Sequence, residues 1–301
     1  MKNAPILIFT YKRLEPLKLT IEALQSNALS AESNLYIFSD GPKDETDKNQ
    51  IQNVRAYLNT ISDFKSVTIK ESSVNKGLAN SIIDGVSEVL KFADNVIVLE
   101  DDLLTTPNFL SYMNSALQVY NDAKGVFSIS GYSFNLGDDI RETNDAYFLK
   151  RGWSWGWATW RDRWLDVDWN VSDYKEFSKN AAQKKAFAEG GSDLNSMLKK
   201  QMNGQLDSWA IRWFYHQYKI KGLTLYPVKS KVYNNGFDAM ATHTNGAGRR
   251  YRPLLDKEHR LTFKFPDQVN INDLYNKRFI KKMGLLSRIM SRLESFFKKK
   301  S

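Results

Sequence analysis

The sequence predicts an α/β fold: an open, mostly parallel sheet with helices on both faces. Three observations predict it. Short runs rich in branched and aromatic residues, at 5–10, 35–40, 67–70 and 96–99, read as strands. They alternate with segments whose apolar residues recur at helical spacing, and strand followed by helix, repeated, is the pattern of right-handed βαβ units. The fourth run, Val96-Ile97-Val98-Leu99, is apolar at every position, as a strand buried on both faces must be.

The first strand gives way to Thr10-Tyr11-Lys12-Arg13. No GxGxxG stands there, which disfavours a dinucleotide-binding Rossmann reading, and the absence of GxxxxGK[ST] removes a P-loop. A helix is expected over 14–24. The second strand runs into Ser39-Asp40-Gly41-Pro42, where Asp, Gly and Pro each favour a turn for separate reasons. A helix over 51–61 leads to the third strand. Asn75-Lys76-Gly77-Leu78-Ala79 then opens a helix over 78–90, with Leu78, Ile82, Val86, Val89 and Leu90 on one side. The fourth strand ends abruptly in Glu100-Asp101-Asp102. Three adjacent acids cannot be buried without a counter-charge, so they belong where the strand leaves the sheet. In open α/β sheets that carboxyl end faces the ligand crevice. A hard divalent cation, Mg²⁺ or Mn²⁺, suits such a cluster because it takes one or two carboxylates and keeps positions for phosphate oxygens. A solvated acidic turn is the alternative.

In their order and spacing these pieces resemble the GT-A (Rossmann-like) glycosyltransferases that use a nucleotide-sugar donor. The likeness extends to the inverting N-acetylglucosaminyltransferase I type and to bacterial surface-polysaccharide glycosyltransferases. That type carries Glu-Asp-Asp-Leu followed by Pro and an aromatic residue, and this chain has Glu100-Asp101-Asp102-Leu103 and then Pro107-Asn108-Phe109. The resemblance implies Asp102 as metal ligand, with Glu100 and Asp101 serving the donor sugar or supporting the metal. It implies that Asp40 holds the uracil or ribose, and that Thr10, Arg13 and Lys76 lie along the donor, the two cations near base or diphosphate. A Gly-Trp-rich segment and an Asp-x-Trp follow in the type; here they are 152–160 and Asp207-Ser208-Trp209. Asp207 is then the expected base. The match covers motifs over the first 210 residues. Displacement at an anomeric carbon needs a base for the acceptor hydroxyl and a separate cation for the departing diphosphate, which explains two carboxylate sites. A single base opposite the leaving group inverts the anomeric centre. Asp207 also reads as a helix N-cap, and both roles are compatible.

Six of the eight tryptophans fall between 153 and 169. Indole faces stack on sugar C–H surfaces, so Trp153, Trp155 and Trp157 are candidate acceptor contacts; their alternation equally suits one buried face of a strand. The glycine-rich stretch 236–251 reads as a mobile loop of the kind that closes over a donor, with His243 a candidate metal ligand and Arg249 and Arg250 candidates for the diphosphate.

The 301 residues divide on this reading into a catalytic unit over 1–275, with a nucleotide-sugar half at 1–125 and an acceptor half at 126–275, and a terminal helix over 276–301. Zero cysteines excludes disulfides and thiolate metal sites and suits a reducing cytoplasm. Neither a signal peptide nor a transmembrane run of about 20 apolar residues is expected. The net charge of +9 is concentrated at the end: residues 277–300 hold nine basic residues against Glu294, leaving +1 for the remainder. Phe279, Met283, Leu286, Met290, Leu293 and Phe297 recur among them every three or four residues. That is a basic amphipathic helix suited to an anionic membrane surface, which argues against a nucleic-acid partner; a helix docked on its own domain is the alternative. The expected enzyme is peripheral on the cytoplasmic face of a membrane, and moves sugar from a UDP-sugar, with UDP-N-acetylglucosamine leading by resemblance, to a glycan or lipid-linked glycan. A nucleotidyltransferase that makes the nucleotide-sugar, and a noncatalytic glycan- or membrane-binding protein, are the competing readings. The first normally needs glycines after strand one; the second would not turn over UDP-sugars.

Overall fold

The computed structural model describes residues 3–137, 143–236, 248–284 and 287–290. The first third follows the expected alternation: β1 (Ile6–Thr10), α1 (Leu14–Gln25), β2 (Asn34–Ser39), α2 (Lys48–Leu58), β3 (Ser66–Glu71), α3 (Leu78–Val89) and β4 (Asn95–Glu100). Beyond it come β5 (Leu103–Thr105), α4 (Phe109–Val119), β6 (Val126–Ser130), β7 (Ala146–Leu149) and β8 (Trp157–Trp160). Four helices follow, α5 (Arg161–Leu165), α6 (Tyr174–Lys179), α7 (Ala181–Phe187) and α8 (Leu194–Met202), then α9 (Trp209–Lys219), β9 (Leu223–Pro227), β10 (Val232–Asn234) and α10 (Asp273–Met283).

Eight strands form one sheet in the order β3-β2-β1-β4-β8-β6-β9-β7. β3, β2, β1 and β4 are parallel, β8 is antiparallel to both β4 and β6, β9 is parallel to β6, and β7 opposes β9. Six strands thus share one direction, and the mostly parallel, helix-flanked sheet is as expected. Because strand side chains alternate, Ile6 and Ile8 pack toward α1, α2 and α4, whereas Leu7 and Phe9 pack toward α3, α8 and α9. Val96, Ile97, Val98 and Leu99 are all fully buried. Phe9 lies opposite Glu100 in the parallel register, so the loops after β1 and β4 leave the sheet side by side.

β5 and β10 form a small antiparallel ribbon that pairs Leu103 with Asn234. Beneath it Lys231 and Asp256 form a buried ion pair, and Asn108 Nδ2 donates to the same carboxylate at 2.9 Å. Burial by itself would raise the Asp256 carboxyl, but the hydrogen bonds from Asn108 and Lys231 hold it down at about 2. A depressed carboxyl stabilises the fold above about pH 4 and ceases to as pH falls through about 2. Asp256→Ala, which strands the Lys231 ammonium in the interior, is expected to lower stability by about 3 to 5 kcal/mol at pH 7. Denaturant titrations should find the gap from the parent closing in the acid; a gap that persists at pH 2 contradicts the assignment.

The terminal helix begins earlier than its charge pattern suggests, at Asp273, with Asn272 capping it through bonds from Leu274 N and Tyr275 N. Its apolar side through Met283 is spent on the domain. Tyr275, Phe279 and Met283 are buried, Tyr275 stacks on Tyr147 at 3.8 Å, and Arg278 and Lys282 donate to the carbonyls of Leu136 and Asn135. Over this stretch the docked reading holds, and Phe279 is closed to a bilayer. Residues 291–301, with Leu293 and Phe297, lie outside the described residues, as does Leu286. Among the described residues no helix is long and apolar enough to cross a membrane. Phe279→Ala should cost about 3 to 5 kcal/mol, read as a lowered melting temperature. An unchanged melting temperature would mean that the helix is not part of the core.

Candidate active site

A cleft of about 460 Å³ opens where β1, β2 and β4 end. Thr10, Arg13, Asp40, Glu100, Asp101, Asp102, Trp155 and Asp207 all line it, although the sequence scatters them over nearly 200 positions. The stacked rings of Phe9 and Phe38, 4.9 Å apart, line the cleft beside them.

The acids turn in different directions as β4 ends. Asp101 is buried, accepts from Thr10 Oγ1 at 3.1 Å, and is paired with Arg13. Arg13 Nη2 also reaches Asp102 Oδ2 at 2.8 Å, so one guanidinium bridges both aspartates. Glu100 is half-buried and accepts no hydrogen bond among the described residues. Burial, with Asp102 and Asp101 adding to it, pushes the Glu100 carboxyl up to about 8. Burial also raises Asp101 to about 6, against the pull of Arg13. Three carboxyls against one guanidinium leave the cluster short of positive charge. Opposite Asp102, Gly236 approaches so closely that an added Cβ would stand 2.1 Å from Oδ2, and Asn235 N donates to the Asp102 carbonyl at 2.8 Å.

Whether a divalent cation fits can be judged from these groups. Among the described residues no three acidic or histidine side chains converge into a preassembled cage. Mg²⁺ and Mn²⁺ need less, because phosphate and water oxygens complete their shell. Hard carboxylate oxygens, an excess of negative charge, and a glycine keeping the space beside Asp102 clear all suit one such ion.

Asp40 is saturated by its own protein. Oδ1 accepts from Gly41 N and Lys76 N, both at 2.9 Å, and Oδ2 from Gly77 N at 3.0 Å and Asn75 Nδ2 at 3.1 Å. The carboxylate therefore staples the loop before α3 to the end of β2. That loop carries Gly77 at φ +75°, a left-handed conformation glycine adopts without strain.

Across from the acids, Asp207 lies 3.6 Å from where a Cβ on Gly77 would be. The helix-cap role belongs to its neighbour: Ser208 is the N-cap of α9 and its hydroxyl accepts from Ile211 N. Asp207 is left with a carboxylate about two-thirds exposed, its one ionic neighbour among the described residues Arg212 at 3.9 Å. The carboxylate thus stands solvated at the rim of the cleft and takes no part in capping α9.

Other expected residues sit elsewhere. The Lys76 ammonium turns along α3 to Asp84 at 3.1 Å and does not line the cleft. Arg250 donates to the Lys282 carbonyl at 3.2 Å and anchors α10 instead of facing a diphosphate. Gly248–Tyr251 form a single 3₁₀ turn; nothing is described of the Arg249 side chain, and His243 lies outside the described residues. The tryptophan alternation does not mark one strand face, because β8 starts only at Trp157, after Gly156 at φ +62°. Trp157 is core, packed 4.5 Å from Trp213 and 4.9 Å from Trp209; Trp153 is buried against Tyr132; Trp155 alone of the three reaches the cleft. Asn234 and Gly236 were not foreseen as site residues. The Asn234-Asn235-Gly236 turn signal was legible, but its pairing with β5 was not.

No family model and no curated protein matches the chain. Among solved structures it is similar to S. aureus TarS, at 12% identity and a TM-score of 0.39 over 56% of this chain and 30% of that one. It is likewise similar to the mannosyltransferase PcManGT from Pyrobaculum calidifontis, determined with GDP-Man and Mn²⁺, at 12% identity and a TM-score of 0.40 over 54% of this chain and 46% of that one. The chain thus spans less than half the length of either protein.

Proposed function

We propose that the chain is an inverting, divalent-metal-dependent glycosyltransferase that moves a sugar from a UDP-sugar, UDP-N-acetylglucosamine or a near relative, to a hydroxyl of a glycan or lipid-linked glycan in surface-polysaccharide or lipopolysaccharide synthesis. One observation carries the reading: a single cleft at the carboxyl ends of the parallel strands sets a charge-deficient acid cluster against a separate, uncommitted carboxylate, Asp207. Asp102 would hold Mn²⁺ or Mg²⁺ with Asp101 beside it, and the ion when bound neutralises the departing diphosphate. Arg13, already aimed at the same carboxylates, offsets phosphate charge, while the clamped loop of Asn75–Gly77 fixes the donor's other flank. Asp207 takes the acceptor proton, and Trp155 offers its indole to the acceptor ring. Attachment to the cytoplasmic face of an anionic membrane belongs to the same proposal, through the basic residues beyond 284, since the face of α10 before them is docked.

The direct test is a thermal-shift panel of UDP-, GDP- and TDP-sugars with and without Mn²⁺. A donor at one hundred times its dissociation constant should add about 2.7 kcal/mol to stability, and only with the cation present. No metal-dependent shift with any nucleotide-sugar would sink the reading.

A further inference from the structure

A second cavity, of about 650 Å³, shares no lining residue with the catalytic cleft. The same two helices bound both: Leu194 of α8 and Phe214 of α9 face the second cavity, whereas Met197 of α8 and Ala210 of α9 face the first. Its floor is apolar, with Phe187, Leu194, Phe214 and Ile271 among the residues that form it. Its rim is cationic. Gln217 ties the rim together, its Nε2 donating to the carbonyl of Lys150 at 3.4 Å and to that of Gly222 at 3.2 Å, which brings Lys150 alongside Lys221.

The charge on this rim is loosely committed. Lys150 pairs with Glu189 at 2.5 Å and Lys219 with Asp173, all side chains a third or more exposed, and exposed pairs of this kind contribute little to stability. A ligand anion can replace either carboxylate at small cost. Among the described residues the Lys221 ammonium has no partner at all. Arg151, buried in the cavity wall and held by Asp193 at 2.7 and 3.0 Å, still has an Nε–H without an acceptor.

We infer that this cavity binds one anionic amphiphile: a hydrocarbon chain on the aromatic and aliphatic floor, carrying a phosphate or similar oxyanion head at Lys221 and Lys150. A bare oxyanion would leave the apolar floor wet, and a neutral chain would leave the unpaired ammonium unused. The volume falls within the about 300–1,000 Å³ of sites that enclose a single small ligand. The inference does not rest on the sugar-transfer reading, and its test reads binding, not turnover.

The probe is dodecyl phosphate, titrated calorimetrically into the full chain below the detergent's micelle concentration, with inorganic phosphate and dodecyl maltoside as the other arms. Saturable one-to-one binding is expected, with each other arm at least about tenfold weaker. Lys221 sits at φ +55°, a position glycine takes more easily, so Lys221→Gly removes the ammonium without straining the fold. It should weaken dodecyl phosphate about tenfold while thermal stability holds. Ala186→Trp, from a half-exposed position on α7, should fill the cavity and block the probe. Equal binding of inorganic phosphate, equal binding of dodecyl maltoside, or indifference of the probe to both substitutions would each overturn the assignment.

Discussion

Asp207→Asn is expected to reduce sugar transfer by about a hundredfold to ten-thousandfold while donor binding and melting temperature stay near those of the parent protein. The fold should not notice the change, because Ser208 caps α9 and the Asp207 carboxylate is largely solvated. The amide keeps the side chain's size but cannot accept a proton, so the loss should appear in kcat, with little change in KM for the donor. Transfer within a fewfold of the parent would exclude Asp207 as base and direct attention to the other acids of the cleft.

Asp102→Ala should do comparable damage by another route. Neutralising a departing diphosphate with a bound cation is worth several kcal/mol, so losing the ion's ligand should cost about a thousandfold in transfer. Asp101 remains to pair with Arg13, and removing one of three crowded acids relieves repulsion, so the variant should fold. The distinguishing readout is the thermal shift: Mn²⁺ should no longer improve binding of the nucleotide-sugar. A variant that still responds to Mn²⁺ as the parent does would move the metal away from Asp102.

The parallel half was legible because its information is local. The apolar runs that became β1 to β4, and the helices between them, could be placed within three residues of their ends. The acid cluster was legible for a similar reason, since an apolar strand followed by Glu100-Asp101-Asp102 has few physical solutions. Long-range pairing was opaque. That β8 would slot between β4 and β6, burying Trp157 and leaving Trp155 at the cleft, depends on register with strands distant in sequence. Asp40 was visible as a turn residue, yet its saturation by Lys76 N and Gly77 N follows from backbone positions that only the folded loop defines. Lys76 and Arg250 misled because charge alone does not say which partner is nearer; Asp84 and the end of α10 are.

The placement of β8 also sets an order of events in folding. β2 and β3 each pair with the strand before them through consecutive βαβ units that span about thirty residues, whereas β4 crosses back over both to pair with β1, Ile97 opposite Ile6. β6 cannot reach the sheet until β8, some thirty residues later in the chain, has paired with β4, and β9 pairs with β6 across nearly a hundred residues. Closing such distant segments is slow, and until it happens the β4 edge is an unpaired strand that is apolar from Val96 to Leu99. Pulse-labelled hydrogen exchange should therefore find amides of β1 and β2 protected before those of β6 and β9. In that interval the exposed edge is where chains would associate wrongly, so refolding yield should fall with protein concentration even for variants whose final stability is untouched.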